Sequence, residues 1–167
     1  TATLLVQNNQ GYTTLTRLIS RAYRENQHQG IPQIMTEWLE QENEGLLLLS
    51  GARQGQIGRA LLSGKLQEAE RLTQYWQGLL GDRFYLDIQR TGRSQEETYI
   101  AGALHLSLTF GVPLVATQDV RFLTPDEFEA HEARVCIHQG RVLDDPRRPK
   151  DYTDQQYLKT PEQMEVL

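Results

Sequence analysis

Cysteine is almost missing from these 167 residues: Cys136 stands alone. One thiol cannot build an internal disulfide framework or a cysteine-rich zinc site. It fits a reducing, cytoplasmic setting. Methionine occurs only at Met35 and Met164, and the first residue is Thr1. The opening residues are patterned as a strand, with no basic-then-apolar leader, so the expectation is a piece cut from a longer polypeptide. No apolar run approaches the roughly 18 residues of a membrane span, so no membrane contact is expected. A basic excess is missing too. With 17 Lys and Arg against 22 Asp and Glu, the net charge is −5, which argues against a broad phosphate-tracking surface. There is no internal repeat, no Walker motif and no Gly-x-Ser-x-Gly elbow. What is present is a 38 % apolar fraction, sufficient for the core of one domain. The 18 glutamines are scattered and form no low-complexity tract.

Periodicity places the elements. Residues 1–7 read as a strand, and Asn8-Asn9-Gln10-Gly11 as a turn. Tyr12, Leu15, Leu18, Ile19, Ala22 and Tyr23 recur at helical spacing, which predicts a helix over 12–25 with these residues on one face. Ile31-Pro32 interrupts, and 36–39 suggest a helical turn. Leu46–Leu49 is an unbroken apolar run closed by Ser50-Gly51. It suits a strand buried on both faces of a parallel sheet. Helices are expected over 54–62 and 66–80, and strands over 83–89 and 113–117. A further helix is expected from a Ser94/Glu97 capping box to Phe110, stopped by Gly111. Another spans 125–139, with Thr124 as N-cap and Pro125 at its first position. Turn residues dominate from Asp144, and Thr160 caps a last helix. This alternation points to parallel βα units, and so to an α/β fold, either a barrel or a doubly wound sheet. In both, ligands sit at the carboxyl ends of strands.

Four segments lie at such ends. Asn8-Asn9 offers nothing beyond its turn signal. Residues 50–55 read as a tight βα turn, with a phosphate held against the helix N-terminus as the alternative. Arg90-Thr91-Gly92-Arg93 reads as a solvated turn, with an anion held by the two arginines as the alternative. In the fourth segment, Asp119 and Arg121 are two residues apart and point the same way on an extended chain. A metal at Asp119 would face the charge of Arg121, so an ion pair is expected instead. His131 and His138 are seven apart on one helix, too far for two ligands of one metal. His28 and His105 show no acidic or histidine partner. Cys136 reads as a small buried hydrophobe.

Several phrases, taken in order, carry a resemblance. They are Asn8-Asn9 with Gly11-Tyr12; Asn43-Glu44-Gly45-Leu46 running into Leu49-Ser50-Gly51; Arg83-Phe84-Tyr85-Leu86; Ala116-Thr117-Gln118-Asp119-Val120-Arg121-Phe122; Phe128-Glu129-Ala130-His131-Glu132; and Leu143-Asp144-Asp145-Pro146. Together they resemble the N-terminal PHP (polymerase and histidinol phosphatase) domain of the alpha subunit of bacterial DNA polymerase III. An error-prone paralogue of that polymerase carries the same domain. The resemblance implies a partial, distorted (βα)7 barrel of mainly parallel strands. Residues 1–167 would be a single domain, the C-terminal two-thirds or so of a PHP domain, with 143–167 as a peripheral extension toward the polymerase core. In active relatives His, Asp, Glu and Cys side chains at the strand ends bind Zn or Mn and support phosphoester hydrolysis by activating water. Much of that cluster, including a His-x-His motif, belongs to a segment before Thr1.

Three family metal positions fall inside the chain. Ala52 stands where active relatives carry Cys. Asp119 is kept, and Arg121 replaces the His of an Asp-x-His motif. Thr91 stands where many relatives carry a further His. The resemblance therefore implies a vestigial metal position at Asp119, with Ala52 and Arg121 at lost ligand positions, no catalytic residue and no cofactor. The implied role is structural, in DNA replication. The domain would pack on the rest of the polymerase alpha subunit and dock the proofreading exonuclease subunit. It would meet DNA only through its parent, a DNA-directed DNA polymerase. Two alternatives stand beside it: an active metal phosphoesterase or 3′–5′ exonuclease of the PHP class, and a small α/β domain binding a phosphorylated ligand at 50–55.

Overall fold

The computed structural model describes every residue from Thr1 to Leu167. Strand β1 (Thr3–Val6) leads into helix α1 (Asn9–Glu25), then a small hairpin of β2 (Gln27–His28) and β3 (Ile31–Pro32), then α2 (Thr36–Gln41). Next come β4 (Leu46–Leu49), α3 (Gln56–Leu62), α4 (Leu66–Leu80), β5 (Phe84–Ile88), α5 (Glu96–Phe110), β6 (Leu114–Ala116), α6 (Phe128–Gln139) and α7 (Pro161–Glu165). Short 3₁₀ turns at Ala52–Gln54, Gly81–Arg83 and Pro125–Glu127 introduce α3, β5 and α6. The main sheet runs β1-β4-β5-β6; β4, β5 and β6 are parallel, and β1 is antiparallel to β4. The architecture is thus mixed α/β with a mostly parallel sheet, open along β1 and β6. The expected βα alternation holds from β4 onward. β4 itself differs from expectation in having one antiparallel neighbour.

Local chemistry explains the boundaries. Asn8-Asn9-Gln10-Gly11 is not a free turn but the start of α1: Asn8 Oδ1 accepts from the Gly11 amide at 3.0 Å, satisfying one of the helix's orphan donors. Gly11 is required there because a Cβ would lie 1.9 Å from the Gly45 carbonyl oxygen. The apolar arc of α1 divides. Gly11, Thr14, Leu18 and Ala22 are buried, while Tyr12, Ile19 and Tyr23, about 100° round the helix, remain exposed. Only one edge of the predicted face meets the sheet. The capping box forms at Thr124/Glu127 ahead of α6, and another at Thr160/Gln163 ahead of α7. The Ser94/Glu97 box does not form. Gln95 is the residue preceding α5, at φ +66°, and Glu97 instead pairs with Arg90 at 2.7 Å.

The main core gathers residues from Leu18 to Val112. Leu46 and Leu48 of β4 and Phe84 and Leu86 of β5 are almost fully buried, with Leu18, Trp38, Ile57, Trp76 and Leu106 from the helices around them. Each such side chain contributes about 1.5–3 kcal/mol by leaving water. At the amino ends of the parallel strands, Arg83 donates to the carbonyls of Asn43 (2.6 Å) and Leu46 (3.0 Å) and to Asn43 Oδ1 (2.9 Å). At the carboxyl ends the turn-rich segment after α6 folds back. Arg148 pairs with Glu132 of α6. The Arg121 amide donates to the Gln156 carbonyl at 2.8 Å, and the Leu158 amide to the Phe122 carbonyl at 3.1 Å. No helix is long and apolar enough to cross a membrane.

Candidate functional site

Two carboxylates organise the strand ends. Asp87 lies near the end of β5, next to the core residue Leu86, and is 3 % exposed. Its Oδ1 accepts from Ser50 Oγ (2.8 Å), the Gly51 amide (2.7 Å) and the Ala52 amide (2.9 Å), and its Oδ2 accepts from Thr117 Oγ1 at 3.3 Å. The amides can converge because Gly51 and Ala52 sit at φ +83° and +46°, the left-handed region in which successive N–H groups form an anion nest. The Tyr99 hydroxyl donates to the Asp87 carbonyl at 2.7 Å. Burial pushes the Tyr99 hydroxyl well above the usual tyrosine range, so it stays a donor. Residues 50–55 are therefore a tight βα turn, as the sequence suggests, and the Gly51 and Ala52 amides already hold an anion from the protein itself.

Asp119 is held differently. Arg121 Nη2 lies 2.9 Å from Asp119 Oδ1, the pairing that their spacing predicts. Arg93 Nη2 pairs with Oδ2. Gln156 Nε2 donates to both the carbonyl and Oδ2 of Asp119, at 3.1 Å each. Arg93 is the more buried cation, with its side chain 8 % exposed against 40 % for Arg121. The solvated-turn reading of Arg90-Thr91-Gly92-Arg93 holds for Arg90 and Gly92, which are exposed, and fails for Thr91 and the Arg93 side chain. Thr91 is fully buried, and the Glu96 carboxylate gathers its amide (2.7 Å), its hydroxyl and the Arg93 amide (3.2 Å). The loop closes around Glu96 because a carboxylate can satisfy several donors at once. Thr153 Oγ1 donates to the Thr91 carbonyl, linking the returning segment to the same loop.

A cavity of about 550 Å³ opens beside this cluster, lined by Arg53, Arg93, Arg121 and Lys150 with Asp151 and Tyr152. His131 is buried nearby, its ring 4.7 Å from that of Tyr152 and 5.5 Å from that of Phe122. Burial, then the Arg134 guanidinium, lowers its pKa below the ordinary 6.5. His138 and His28 are exposed and stand apart from it. His105 does have an acidic neighbour, Glu70 at 3.8 Å on the adjacent helix, which the sequence does not reveal. Cys136 is buried.

These residues do not fit a divalent metal. Ala52 has no side-chain donor atom, and the Thr91 hydroxyl is committed to Glu96. Both Asp119 carboxylate oxygens face guanidinium or amide donors. A cation placed there would meet two fixed positive charges. No group of three or more His, Cys, Asp or Glu side chains converges anywhere on the chain. Asp87, Glu96 and Gln156 escape the sequence reading. Asp87 leaves one trace, a carboxylate inside an otherwise apolar strand, Phe84-Tyr85-Leu86-Asp87-Ile88. Gln156 leaves none, because it meets Asp119 across 37 residues of chain.

Comparison with known proteins places this geometry. The chain is 52 % identical over 164 residues to the DNA polymerase III subunit alpha of Pseudomonas fluorescens, 49 % identical over 164 residues to that of Pseudomonas aeruginosa, and 46 % identical over 162 residues to that of Escherichia coli K12. Each match covers 97–98 % of the chain and 14 % of the relative, so the chain spans about a seventh of these polymerase subunits. The PHP domain family matches residues 1–91, more than half of the chain. With that match and the strand-end arrangement above, the chain belongs to the PHP domain family.

Proposed function

We propose that this chain is part of the PHP domain of a replicative, cytoplasmic DNA polymerase III alpha subunit and works as a scaffold rather than as a hydrolytic centre. The supporting observation is the state of Asp119. The one kept family metal position is bound to Arg93, Arg121 and Gln156, leaving no carboxylate oxygen free to ligate an ion. Zn or Mn is accordingly not a resident cofactor, and the position at Asp119, with Ala52 and Arg121, is vestigial. The open β1 and β6 edges are where the remainder of a distorted barrel would pair. Residues 143–167, folded back on the strand ends through Arg148, Thr153 and Gln156, would be the side that faces the polymerase core. Nucleotidyl transfer belongs to the parent polymerase, and DNA is met only through it. The domain's own partner is the proofreading exonuclease subunit, and a net charge of −5 suits a protein surface better than a DNA groove.

Two measurements test this. Calorimetry of the full-length subunit with Zn²⁺ and Mn²⁺ should show no binding that depends on this domain. Micromolar binding lost on Asp119→Ala would bring metal-dependent phosphoester hydrolysis forward instead. Deleting the domain from the full-length subunit should abolish capture of the exonuclease subunit. Unchanged affinity would end the docking role.

A further inference from the structure

We infer that Arg93 is the resident cation of the strand-end cluster: its guanidinium takes the place at Asp119 that a divalent ion would hold, and so keeps three distant chain segments ordered without metal. This rests on the reading of Asp119 as a vestigial metal position and adds the group that replaced the ion.

Burial separates the two arginines. Arg121 is 40 % exposed, and pairs of that kind contribute little. Arg93 is more than nine-tenths buried, and the carboxylate it meets is itself only 21 % exposed. Removing Asp119 would leave Arg93 buried and unpaired, and removing Arg93 would leave Asp119 with the exposed Arg121 as its one counter-charge, so either loss is costlier than the loss of Arg121. Arg93 is also delivered rather than recruited. Gly92 turns the chain at φ +78°, the Arg93 amide is fixed on Glu96, and Arg53 holds the following carbonyl, that of Ser94, at 2.8 Å. The side chain stays buried although its Nε has no acceptor. An unmet buried donor is unfavourable, so the contact with Asp119 outweighs it.

The contact reaches beyond two residues. Gln156 is fully buried, donates to Asp119 through Nε2 and accepts from the Thr153 amide through Oε1 at 3.0 Å. Thr153 in turn donates to the Thr91 carbonyl. The loop carrying Arg93, the segment carrying Asp119 and the returning segment 151–158 thus share one electrostatic centre. A metal ion that bridges ligands from separate strands performs the same task. A guanidinium does so with a charge that neither dissociates nor titrates.

The test is local hydrogen exchange in the full-length polypeptide, read on segments 117–122 and 151–158. In the native protein, exchange there should be the same in EDTA and in Mn²⁺. Arg93→Ala should speed exchange at 151–158 by at least about tenfold, and Mn²⁺ or ethylguanidinium, filling the vacated place, should slow it again. Arg93→Ala combined with Asp119→Asn removes the stranded charge, so exchange should move back toward native and the Mn²⁺ response should vanish. Native-like exchange in Arg93→Ala, with the native protein indifferent to EDTA, would overturn this inference alone. A Mn²⁺ response persisting in the double variant would do the same. Native protein loosened by EDTA would overturn the vestigial-site reading and this inference with it. Should Arg93→Ala not fold, Arg93→Lys against Arg121→Ala decides: Arg93→Lys must loosen 151–158 the more, and the reverse order would refute the role.

Discussion

Asp87, in β5, and Asp119, in the loop after β6, lie toward the carboxyl end of one sheet and are held by opposite means. Asp87 has no cation: two backbone amides and two hydroxyls supply all its donors. Asp119 is met by two guanidinium groups and one amide. The first solution uses oriented dipoles that a left-handed turn fixes in place, and it ties β5 to the loop after β4. The second uses charges on long side chains, and it ties together loops that are far apart in sequence. Dipoles from a turn demand a set backbone, whereas guanidinium groups can cross a gap. The turn therefore serves adjacent strands, and the arginines serve the returning segment.

The difference should be largest on losing the side chain at Asp87. Asp87→Ala strands the Gly51 and Ala52 amides and the Ser50 hydroxyl in the interior, and leaves Ala52 at φ +46° without its restraint. A loss of about 3–4 kcal/mol is expected, measured as the shift in urea unfolding. Asp87→Asn keeps one acceptor oxygen and should lose only about 1 kcal/mol. If Asn were as damaging as Ala, the nest would require a full charge and the contrast with Asp119 would fail.

At Asp119 the order reverses. Asp119→Asn keeps the shape and one acceptor but removes the charge, leaving Arg93 buried beside a neutral group. Asn and Ala should then cost similar amounts, about 2–3 kcal/mol each, in the same unfolding measurement. A mild Asn variant at 119 beside a severe Ala variant would make the two carboxylates alike.

Much of the scaffold behind this contrast is legible in the sequence. The Leu46–Leu49 run, the limits of α4 and the Thr124 and Thr160 caps follow from periodicity and capping rules acting over a few residues. The Asp119–Arg121 pair follows from a spacing of two. What the sequence hides is long-range or depends on a backbone conformation. Arg93 belongs to a polar segment whose composition reads as solvated, and only the Glu96 carboxylate five residues beyond Thr91 folds it inward. The expected Ser94 cap fails for the same reason: the acid that would complete it pairs with Arg90. The exposed Tyr12, Ile19 and Tyr23 show the limit of periodicity, which marks a helix but does not measure how wide a stripe its neighbours cover.

Acid should separate the two regions further. His131 stands on the Asp119 side, facing Arg134 and Glu132 of its own helix, Arg121 from the β6 loop and Tyr152 from the returning segment. Burial first, and then Arg134, hold its pKa below 6.5 in the fold; Arg121 adds to this and Glu132 opposes it. The unfolded chain therefore takes up the proton first. This contribution to stability is intact above pH 6.5 and is lost as the pH falls below it toward the folded value. Protection, corrected for the slower intrinsic exchange in acid, should fall at 151–158 on acidification while 46–62, around the Asp87 nest, keeps its protection. His131→Asn should flatten that response. Equal acid sensitivity in both segments would detach the effect from His131.

The smallest effect should come from Arg121→Ala. Arg121 makes the ion pair that the sequence suggests, and its distance to Asp119, 2.9 Å, is that of a good charge-assisted contact. Distance alone does not set its worth. Its side chain is 40 % exposed, so water and salt screen the charge and ordering the side chain costs entropy. Its other contact, 5.4 Å above the Tyr152 ring, is similarly open. A loss of about 0.5 kcal/mol is expected at physiological salt, growing at low ionic strength, in urea unfolding at two salt concentrations. Arg93 variants should lack that salt dependence, because their charge is shielded from solvent. Were Arg121→Ala as damaging as Asp119→Asn, the exposed arginine would be the one that neutralises Asp119, and the division of labour between the two guanidinium groups would be the reverse of the one their burial indicates.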